Sequence, residues 1–441
     1  MSGDSDTIVA VATPPGRGGI GIVRISGPAT RAIAAAVLGR VPLPRYATAA
    51  AFTDGDGGTI DTGLALFFPA PRSFTGEDVL ELHGHGGPVV MDLLVRRALE
   101  LGARLARPGE FTERAFHNDK IDLAQAEAIA DLIDAGSVEA ARAARGSLAG
   151  GFSREITELG RRIMELRIYV EAAIDFPDED AGFLESAEVR ERLSDISAGF
   201  GNIERAARQG RALNEGLSVV IAGRPNAGKS SLLNALAGHD AAIVTAIPGT
   251  TRDVLRERIA IDGLPIHVID TAGLRENADV IEEEGIRRAR NEMRRAELVL
   301  YLVDANIGAA PGELESLAMD PPLLLVWNKT DLAAAPAGSA GIAISALTGQ
   351  GLPALRERLK AAAGYRSDAA GAYSARRRHL DALARAERFV QEAATRLAER
   401  AAFELAAEDL RLAQQALGEI TGEVTSDALL GAIFSGFCIG K

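Results

Sequence analysis

The sequence predicts a multidomain α+β protein, and three patterns carry this prediction. Residues 213–366 alternate apolar strand-like runs with helix-like stretches, which is typical of a parallel α/β sheet. Alanine-rich helical segments flank this region, in residues 119–212 and 367–441. Residues 1–118 contain short apolar runs separated by glycine and proline, as strands joined by turns do. We therefore expect an N-terminal α/β domain, a helical domain in two parts, and an α/β domain inserted between those parts.

Length and composition limit the class of protein. The 441 residues suggest about three domains. The 48 basic and 61 acidic residues give a net charge of −13, which disfavours coating of nucleic acid through bulk charge. One cysteine, Cys438, excludes an internal disulfide and a cysteine-rich zinc site. The sequence predicts neither a signal peptide nor a membrane helix, because its start is acidic and it lacks an apolar run of about 18 residues, so we expect a cytoplasmic protein.

The flanking regions predict particular elements. In the N-terminal region a helix is expected near residues 89–101, and strands at 7–12, 19–25, 64–68 and 79–82. At the start of the helical region, Asp122 and Gln125 have the spacing of a helix N-terminal cap. The residues that follow at helical spacing predict one buried helix face, made of Leu123, Ala126, Ala130 and Ile133.

The inserted region predicts a sheet with one antiparallel edge. Its strands are expected at residues 217–223, 264–270, 298–304, 323–328 and 341–345. The pair Asp262-Gly263 separates two apolar runs, and this dipeptide favours a two-residue hairpin turn. We therefore expect the run at 258–261 to pair antiparallel with the strand that follows it.

Residues 223–230 (GRPNAGKS) match the phosphate-loop motif G-x-x-x-x-G-K-[ST]. The motif follows a predicted strand and begins a predicted helix, which is the context that phosphate binding requires, since backbone N–H groups and the helix N-terminus then face the phosphates. Lys229 is expected to contact the β- and γ-phosphates, and Ser230 to bind Mg²⁺.

Three more motifs follow, and in this order the set resembles that of a Ras-like GTPase domain. Residues 270–273 (DTAG) end a strand, and Asp270 and Gly273 are expected near the metal and the γ-phosphate. Residues 328–331 (NKTD) place Asp331 to accept two hydrogen bonds from guanine, which adenine cannot offer. Ser345 and Ala346 are expected to bring a backbone N–H to guanine O6. Thr250 or Thr251 is the expected switch threonine, with Thr251 favoured as the Mg²⁺ ligand.

One departure from Ras concerns hydrolysis. Leu274 follows the glycine of DTAG where Ras-type enzymes have a water-orienting glutamine, and leucine cannot hydrogen-bond. Asn226 is a candidate ligand for a monovalent cation that supplies positive charge. Glu282 is a candidate for positioning water, although residue chemistry alone favours a solvated helix start for the run 282–284.

Other runs resemble one family closely. They are residues 13–26 (TPPGRGGIGIVRIS), 81–87 (ELHGHGG), 120–127 (KIDLAQAE), 175–180 (DFPDED) and 437–441 (FCIGK). They look like the MnmE (TrmE) family of tRNA-modifying GTPases, and the resemblance extends over essentially the whole chain. It implies a tetrahydrofolate-binding and dimerisation domain in residues 1–118, a helical domain in 119–212 and 367–441, and a GTPase domain in 213–366.

The resemblance also implies a function. Family members act as homodimers with an FAD-dependent partner, MnmG (GidA). Together they add an aminomethyl or carboxymethylaminomethyl group to C5 of the wobble uridine of certain tRNAs. The carbon comes from a tetrahydrofolate derivative in its formyl or methylene form, and GTP hydrolysis needs Mg²⁺ and is stimulated by K⁺.

Site residues are carried over by motif match. The folate-binding positions are Arg24, Glu81, Lys120 and Lys441, and the K⁺ ligands are Asn226, Thr245, Ile247 and Thr250. Glu282 falls at the position of the family's catalytic glutamate, and Asn226 and Lys229 are its catalytic companions. The GTP-binding set is Asn226, Ala227, Gly228, Lys229, Ser230, Ser231, Thr245, Thr250, Thr251, Asp270, Thr271, Ala272, Gly273, Asn328, Lys329, Asp331, Ser345 and Ala346.

Some residues and functions keep more than one interpretation. Cys438 is either a reactive thiol or a small packing residue beside the folate pocket. His83 and His85 suggest a metal site, but no other ligand matches, and the glycines beside them more readily indicate close approach of backbone to a ligand. The alternative functions are an RNA-binding ribosome-assembly GTPase and a stand-alone folate-dependent aminomethyltransferase with a regulatory GTPase insert.

Lysine usage supports the same sites. Arginine is far commoner than lysine, and four of the five lysines fall in proposed sites, namely Lys120, Lys229, Lys329 and Lys441. The fifth, Lys360, has no role that the sequence predicts.

Overall fold

A computed structural model describes residues 6–175, 187–237, 256–270, 296–309, 322–366, 373–399 and 402–440. These belong to two compact units. The first comprises Met1–Ala130 and Gly418–Lys441, and the second comprises Asp131–Leu417. The points at which the chain passes from one unit to the other lie within helices α4 (Leu123–Asp134) and α11 (Phe403–Thr421).

The first unit is built on a mixed sheet with the spatial order β3-β4-β5-β2-β1-β6. Its strands are β1 (Ile8–Val11), β2 (Gly18–Ser26), β3 (Thr48–Thr53), β4 (Thr59–Phe68), β5 (Val79–Gly86) and β6 (Arg104–Leu105). Neighbouring strands are antiparallel except β1 and β6, which are parallel. The four strands predicted in this region are confirmed. The sequence did not predict β3, because its three consecutive alanines do not favour a strand.

The helices of this unit are α1 (Thr30–Leu38), α2 (Pro88–Glu100), α3 (Glu110–His117) and α12 (Asp427–Ser435). Apolar residues of α1 and α2 pack with Val23 and Ile25 of β2 and with Leu80 and Leu82 of β5. Side chains alternate between the two faces of a strand. The residues between these apolar ones, among them Arg24, are therefore presented on the face that α1 and α2 do not cover.

A second, smaller core joins α3 and α12 to the start of α4. Phe116, Leu123 and Phe434 belong to this core.

The predicted cap of α4 is confirmed, since the backbone N–H of Asp122 donates to Gln125 Oε1 at 3.0 Å and the backbone N–H of Gln125 donates to Asp122 Oδ1 at 2.8 Å. The prediction that Ile133 lies on the buried face is wrong. Its side chain is 48% exposed, because the buried face of α4 ends near Ala130.

Buried charges tie α3 to the sheet. Glu110 is 1% exposed, and its Oε1 lies 2.5 Å from Arg104 Nη2 and 3.1 Å from Arg114 Nη2. Arg114 also contacts Glu77 (Nη1 to Oε1, 3.0 Å) and Asp6 (Nη2 to Oδ1, 2.7 Å). Burial by itself would raise the pKa of Glu110. Hydrogen bonds from Arg104, from the backbone of Arg107 and from Arg114 outweigh burial and lower that pKa from 4.5 to about 2.

The second unit contains a sheet with the spatial order β12-β11-β10-β7-β9-β8. Its strands are β7 (Leu217–Gly223), β8 (Arg256–Ile261), β9 (Leu264–Asp270), β10 (Leu298–Asp304), β11 (Leu323–Asn328) and β12 (Ile342–Ala343). All neighbours are parallel except β8 and β9, so the predicted antiparallel edge pair is confirmed. Every residue of the central strand β10 is buried, as expected for a strand covered on both faces.

The helices of this unit are α5 (Val138–Leu148), α6 (Gly151–Asp175), α7 (Ala187–Glu215), α8 (Lys229–Ala237), α9 (Leu352–Ala362) and α10 (Arg377–Ala398). One apolar core contains Ala140 of α5, Leu213 of α7 and Leu264 of β9. The helical part and the sheet therefore share buried residues on one face of the sheet.

The turn between β8 and β9 is fixed by Lys360. This lysine of α9 is 5% exposed, and its Nζ lies 2.8 Å from Asp262 Oδ2 and 2.6 Å from Glu357 Oε1. The hydroxyl of Tyr365 donates to the Asp262 carbonyl at 3.1 Å. The hydrogen bonds from Lys360 to its two carboxylates raise the pKa of its ammonium group. Lys360 thus has a structural role at the tip of the hairpin.

None of the helices in the described part of the chain has the length and apolarity that spanning a membrane requires.

Candidate functional site

The phosphate-loop motif connects β7 to α8 at the carboxyl edge of the parallel sheet. Its backbone has positive φ at Gly223 (142°), Asn226 (63°) and Gly228 (94°). A Cβ on Gly228 would lie 2.3 Å from Asn328 Nδ2, so this position requires glycine for close approach as well as for conformation. Ser230 and Ser231 are exposed in the first turn of α8, where the positive end of the helix dipole favours anions.

Lys229 lies over the loop that precedes it. Its Nζ donates to the carbonyls of Gly223 at 3.0 Å and Arg224 at 3.1 Å. The ammonium group therefore lies against the backbone of the phosphate loop at Gly223 and Arg224. Ala227 is buried between the exposed Asn226 and the partly buried Gly228.

Asn328 joins the phosphate loop to the predicted base-binding loops. This asparagine ends β11 and is 1% exposed. Its Nδ2 donates to the Ala227 carbonyl at 2.9 Å, and its Oδ1 accepts from the Ala346 N–H at 3.0 Å. The Ala346 N–H expected to meet guanine O6 is thus directed at Asn328, and a guanine contact has to share or replace that hydrogen bond.

Lys329 and Asp331 of the base motif are also paired. Lys329 Nζ lies 2.7 Å from Asp304 Oδ2, and its hydrogen bond lowers the pKa of Asp304. Asp331 Oδ1 accepts from the buried Ser345 hydroxyl at 2.6 Å, while Asp331 itself is exposed. The structure thus brings Ala227, Asn328, Asp331 and Ala346 to one edge of the sheet.

Several predicted site residues lie outside the described part of the chain. They are Thr245, Ile247, Thr250, Thr251, Thr271, Ala272, Gly273, Glu282 and Lys441. The backbone of Asp270 is described as the last residue of β9, next to β7 in the sheet, but its side chain is not.

In the first unit, Arg24 and Glu81 lie directly opposite each other on β2 and β5. Arg24 Nε donates to Glu81 Oε1 at 2.9 Å, and His83 Nε2 lies 3.2 Å from Glu81 Oε2. The Arg24 and Glu81 side chains are 24% and 15% exposed, so solvent reaches both. The arrangement offers a carboxylate acceptor beside a cation, which suits a polar ligand with donors on its edge.

Lys120 and Cys438 are held near this sheet by backbone contacts. Lys120 Nζ donates to the Pro71 carbonyl at 3.0 Å, at the start of the loop that leads into β5. Cys438 is exposed, and its carbonyl accepts from the Gly109 N–H at 3.4 Å. Gly440 follows with φ of 95°, and a Cβ there would lie 2.2 Å from the Val11 carbonyl. The C-terminal segment therefore packs tightly against the end of β1, the neighbour of β2.

The two histidines are paired with carboxylates rather than with each other. His85 Nδ1 lies 2.8 Å from Asp61 Oδ1, and the His85 backbone N–H donates to Asp61 Oδ2 at 2.7 Å. Burial would raise the pKa of Asp61, but these hydrogen bonds lower it. Among the residues that the structure describes, no group of three or more His, Cys, Asp or Glu could hold a metal ion.

The sequence did not single out the aromatic residues around Arg24. The Arg24 Cζ lies 5.8 Å from the ring centroid of Phe74 and 5.7 Å from that of Phe111. Phe111 is fully buried, whereas Phe74 is 38% exposed. An aromatic residue within the polar run 71–78 was the signal that could have identified Phe74.

Two family models match the chain. The model of the MnmE helical domain matches residues 123–438, and the model of the N-terminus of the GTP-binding protein TrmE matches residues 7–120. Two solved structures are also similar to part of the chain. The G domain of the T. maritima FeoB iron transporter is 28% identical, with a TM-score of 0.26, over 33% of this chain and 98% of that chain. A variant of Era from Aquifex aeolicus is 27% identical, with a TM-score of 0.26, over 39% of this chain and 66% of that chain.

The predicted fold class is confirmed. The chain combines an N-terminal domain, a helical domain and a Ras-like GTPase domain in one mixed α and β structure.

Proposed function

This chain belongs to the MnmE (TrmE) family of GTP-binding proteins, and we propose on that basis that it is a K⁺-stimulated GTPase of tRNA modification. With an FAD-dependent partner of the MnmG (GidA) type, it adds an aminomethyl or carboxymethylaminomethyl group to C5 of the wobble uridine of certain tRNAs. A tetrahydrofolate one-carbon derivative supplies the carbon. GTP hydrolysis switches the conformation of the protein and does not itself form the new bond.

The GTPase part of this proposal rests on the two hydrogen bonds of the Asn328 side chain. Its carboxamide links the phosphate loop at Ala227 to the base loop at Ala346, so one side chain sets the separation between the two. This is the separation that a nucleotide must span. The proposed GTP-binding residues in the described part are Asn226, Ala227, Gly228, Lys229, Ser230, Ser231, Asp270, Asn328, Lys329, Asp331, Ser345 and Ala346, with Thr245, Thr250, Thr251, Thr271, Ala272 and Gly273 outside it.

The proposed hydrolytic group is Glu282, Asn226 and Lys229. Lys229 and the α8 N-terminus stabilise phosphate charge, Ser230 and Thr251 hold Mg²⁺, and Glu282 orients water in place of the glutamine that Leu274 replaces. Asn226, Thr245, Ile247 and Thr250 hold K⁺. The exposed side chain of Asn226 at the loop surface is compatible with this role, since an amide oxygen suits a hard cation. When bound, the two cations supply positive charge to the phosphate oxygens.

The proposed folate site consists of Arg24, Glu81, Lys120 and Lys441. The accessible Glu81 carboxylate accepts hydrogen bonds from a reduced pterin, while Arg24 and Lys120 offer charge to its polar edge or acidic tail. Cys438 belongs to the same C-terminal segment and is proposed as a neighbour of this site.

The domain assignment and the partners are proposals of the same kind. Residues 1–118 bind folate and form the homodimer, residues 119–212 and 367–441 form the helical domain, and residues 213–366 form the GTPase domain. The partner flavoprotein and tRNA complete a cytoplasmic hetero-oligomer.

Base recognition provides a direct test of the GTPase part. In Asp331→Asn one of the two carboxylate oxygens that accept from guanine becomes an NH₂ donor and the negative charge is lost, so we expect the affinity for GTP to fall by about 10²–10⁴-fold. Xanthosine triphosphate, whose C2 carbonyl can accept from the new amide, should bind better than GTP. Calorimetric titration with both nucleotides measures this. Unchanged preference for GTP in the variant would contradict the assignment of Asp331.

Reconstitution tests the tRNA part. The purified chain, the flavoprotein, tRNA, GTP, Mg²⁺, K⁺ and a methylene-tetrahydrofolate should together yield C5-modified uridine when an ammonium salt or glycine supplies the amine nitrogen. Omission of the flavoprotein should abolish the product, and full activity without it would favour the stand-alone aminomethyltransferase.

A further inference from the structure

Phe74 is an exposed aromatic residue beside the Arg24–Glu81 pair. Its ring centroid lies 5.8 Å from the Arg24 Cζ, and 38% of the residue remains accessible to solvent. Arg24 in turn contacts Glu81 at 2.8 Å (Nη2 to Oε1). An apolar ring, a cation and an accessible carboxylate thus occupy neighbouring positions on the sheet face that α1 and α2 leave uncovered.

The residue that follows Phe74 is fixed by buried hydrogen bonds. The Thr75 hydroxyl lies 2.7 Å from the Ser26 hydroxyl on β2, and the Thr75 carbonyl accepts from Asn118 Nδ2 at 2.7 Å. Thr75 and Ser26 are both fully buried. Phe74 is therefore held close to Arg24 by its neighbour and not only by its own packing.

Glu77, two residues after Thr75, fixes the same loop next to β5. Its Oε2 accepts from the Ser26 hydroxyl at 2.6 Å, and its Oε1 lies 3.0 Å from Arg114 Nη1. Arg114 is 8% exposed and belongs to the buried charge cluster around Glu110. Because the loop is anchored at Thr75 and Glu77, directly after Phe74, the backbone at Phe74 is ordered before a ligand binds, which lowers the entropic cost of binding.

We propose that Phe74 is a ligand-contacting residue of the Arg24–Glu81 site. Its exposed ring stacks on the planar pyrimidinone ring of the pterin of a bound reduced folate, while Glu81 accepts hydrogen bonds from the N–H groups on the edge of that ring. The inference rests on the proposed folate function, to which it adds a residue that selects for a flat heterocycle. Aromatic stacking recognises the face of such a ring, whereas Glu81 recognises its donors.

The test is calorimetric titration of the full chain with 5-formyltetrahydrofolate. Phe74→Leu keeps apolar volume but removes the aromatic face, so we expect the affinity to fall by about tenfold. Phe74→Tyr keeps the face and should bind within about threefold of the unaltered chain. Phe74→Trp gives the chain a second tryptophan, in addition to Trp327. The fluorescence of the introduced tryptophan should be quenched as the ligand binds.

Leu93→Ala is the matched control. Leu93 is 42% exposed on α2, on the opposite side of the sheet, so its replacement should leave ligand affinity unchanged. Equal affinity in Phe74→Leu and the unaltered chain would overturn the role of Phe74 while leaving the folate function in place. Failure of the unaltered chain to bind would overturn the folate function and this inference together. Unfolding midpoints of the variants separate loss of binding from loss of fold.

Discussion

The side chain of Asn328 donates a 2.9 Å hydrogen bond to the backbone carbonyl of Ala227, a residue 101 positions earlier in the chain. The same carboxamide accepts from the Ala346 N–H. Because Asn328 is buried, neither partner can exchange this contact for water without opening the site. One side chain therefore couples the geometry of the phosphate loop to that of the base loop.

Asn328→Ala should weaken nucleotide binding and destabilise the second unit. The replacement leaves the Ala227 carbonyl and the Ala346 N–H without this partner, at a cost of about 1–3 kcal/mol. Nucleotide titration and urea unfolding measure the two effects. Asn202→Ala is the control. Asn202 is exposed on α7, and within the described part of the chain its side chain accepts one hydrogen bond, from Arg205. Wild-type affinity in Asn328→Ala would show that the loops are positioned without this contact.

Asn226 should make GTP turnover depend on K⁺. A cation held at the loop adds positive charge where negative charge develops, so turnover in KCl should exceed that in NaCl by about 10–100-fold at equal ionic strength. Asn226 has φ of 63°, so Asn226→Gly removes the side chain without backbone strain and should abolish the difference. Asn226→Asp retains an oxygen ligand and should preserve the difference in turnover between KCl and NaCl. Equal rates of the unaltered chain in both salts would argue against a K⁺ site.

Glu110 should make the stability of the first unit depend on acid pH. Its pKa in the folded chain is about 2, against 4.5 for the free group, so its stabilisation is complete above about pH 4.5 and is lost as the pH falls towards 2. Glu110→Gln should therefore be less stable than the unaltered chain by about 3 kcal/mol at pH 7, with a smaller difference at pH 3. Chemical unfolding at both pH values measures this.

The control for Glu110 is Glu113→Gln on the same helix. Glu113 is 20% exposed and its contact with Arg107 is 3.2 Å long at the surface, so the change should cost less than about 1 kcal/mol. If Glu110→Gln lowers the free energy of unfolding equally at pH 7 and pH 3, packing and not charge stabilises this position.

Lys360 should stabilise the hairpin tip through its ammonium group. Lys360→Met keeps the apolar stem but loses both carboxylate contacts, and we expect about 1–2 kcal/mol of destabilisation in urea unfolding. Because the folded pKa of Lys360 is raised, the difference should be constant from pH 7 to 9 and shrink only above about pH 10.5. Arg358→Met, on the exposed side of the same helix, should have little effect. Equal stability of Lys360→Met would show that the buried pair contributes nothing net.

Local patterns predicted the elements, but not the contacts between distant charges. The Asp262-Gly263 turn and the Asp122–Gln125 cap were recognisable because each depends on residues close in sequence. Ile133 was wrongly placed, since helical spacing does not reveal where the partner surface ends.

In the candidate sites, the residues of short motifs were predictable from the sequence. The distant residues that hold those motifs in place were not. The contact between Asn328 and Ala227, and the loop anchor formed by Glu77 and Arg114, join segments far apart in the chain. No spacing rule relates such residues. The pairing of Lys360 with Asp262 is of the same kind, and only the fold gives this lysine a role.

We expect this chain to be required for C5 modification of the wobble uridine in cells, and the nucleoside composition of bulk tRNA from cells that lack it tests this requirement. We predict that aminomethyl-type and carboxymethylaminomethyl-type uridines disappear, return with the unaltered gene, and fail to return with Asp331→Asn. A nucleoside profile unchanged by loss of the gene would contradict a role of this chain in tRNA modification.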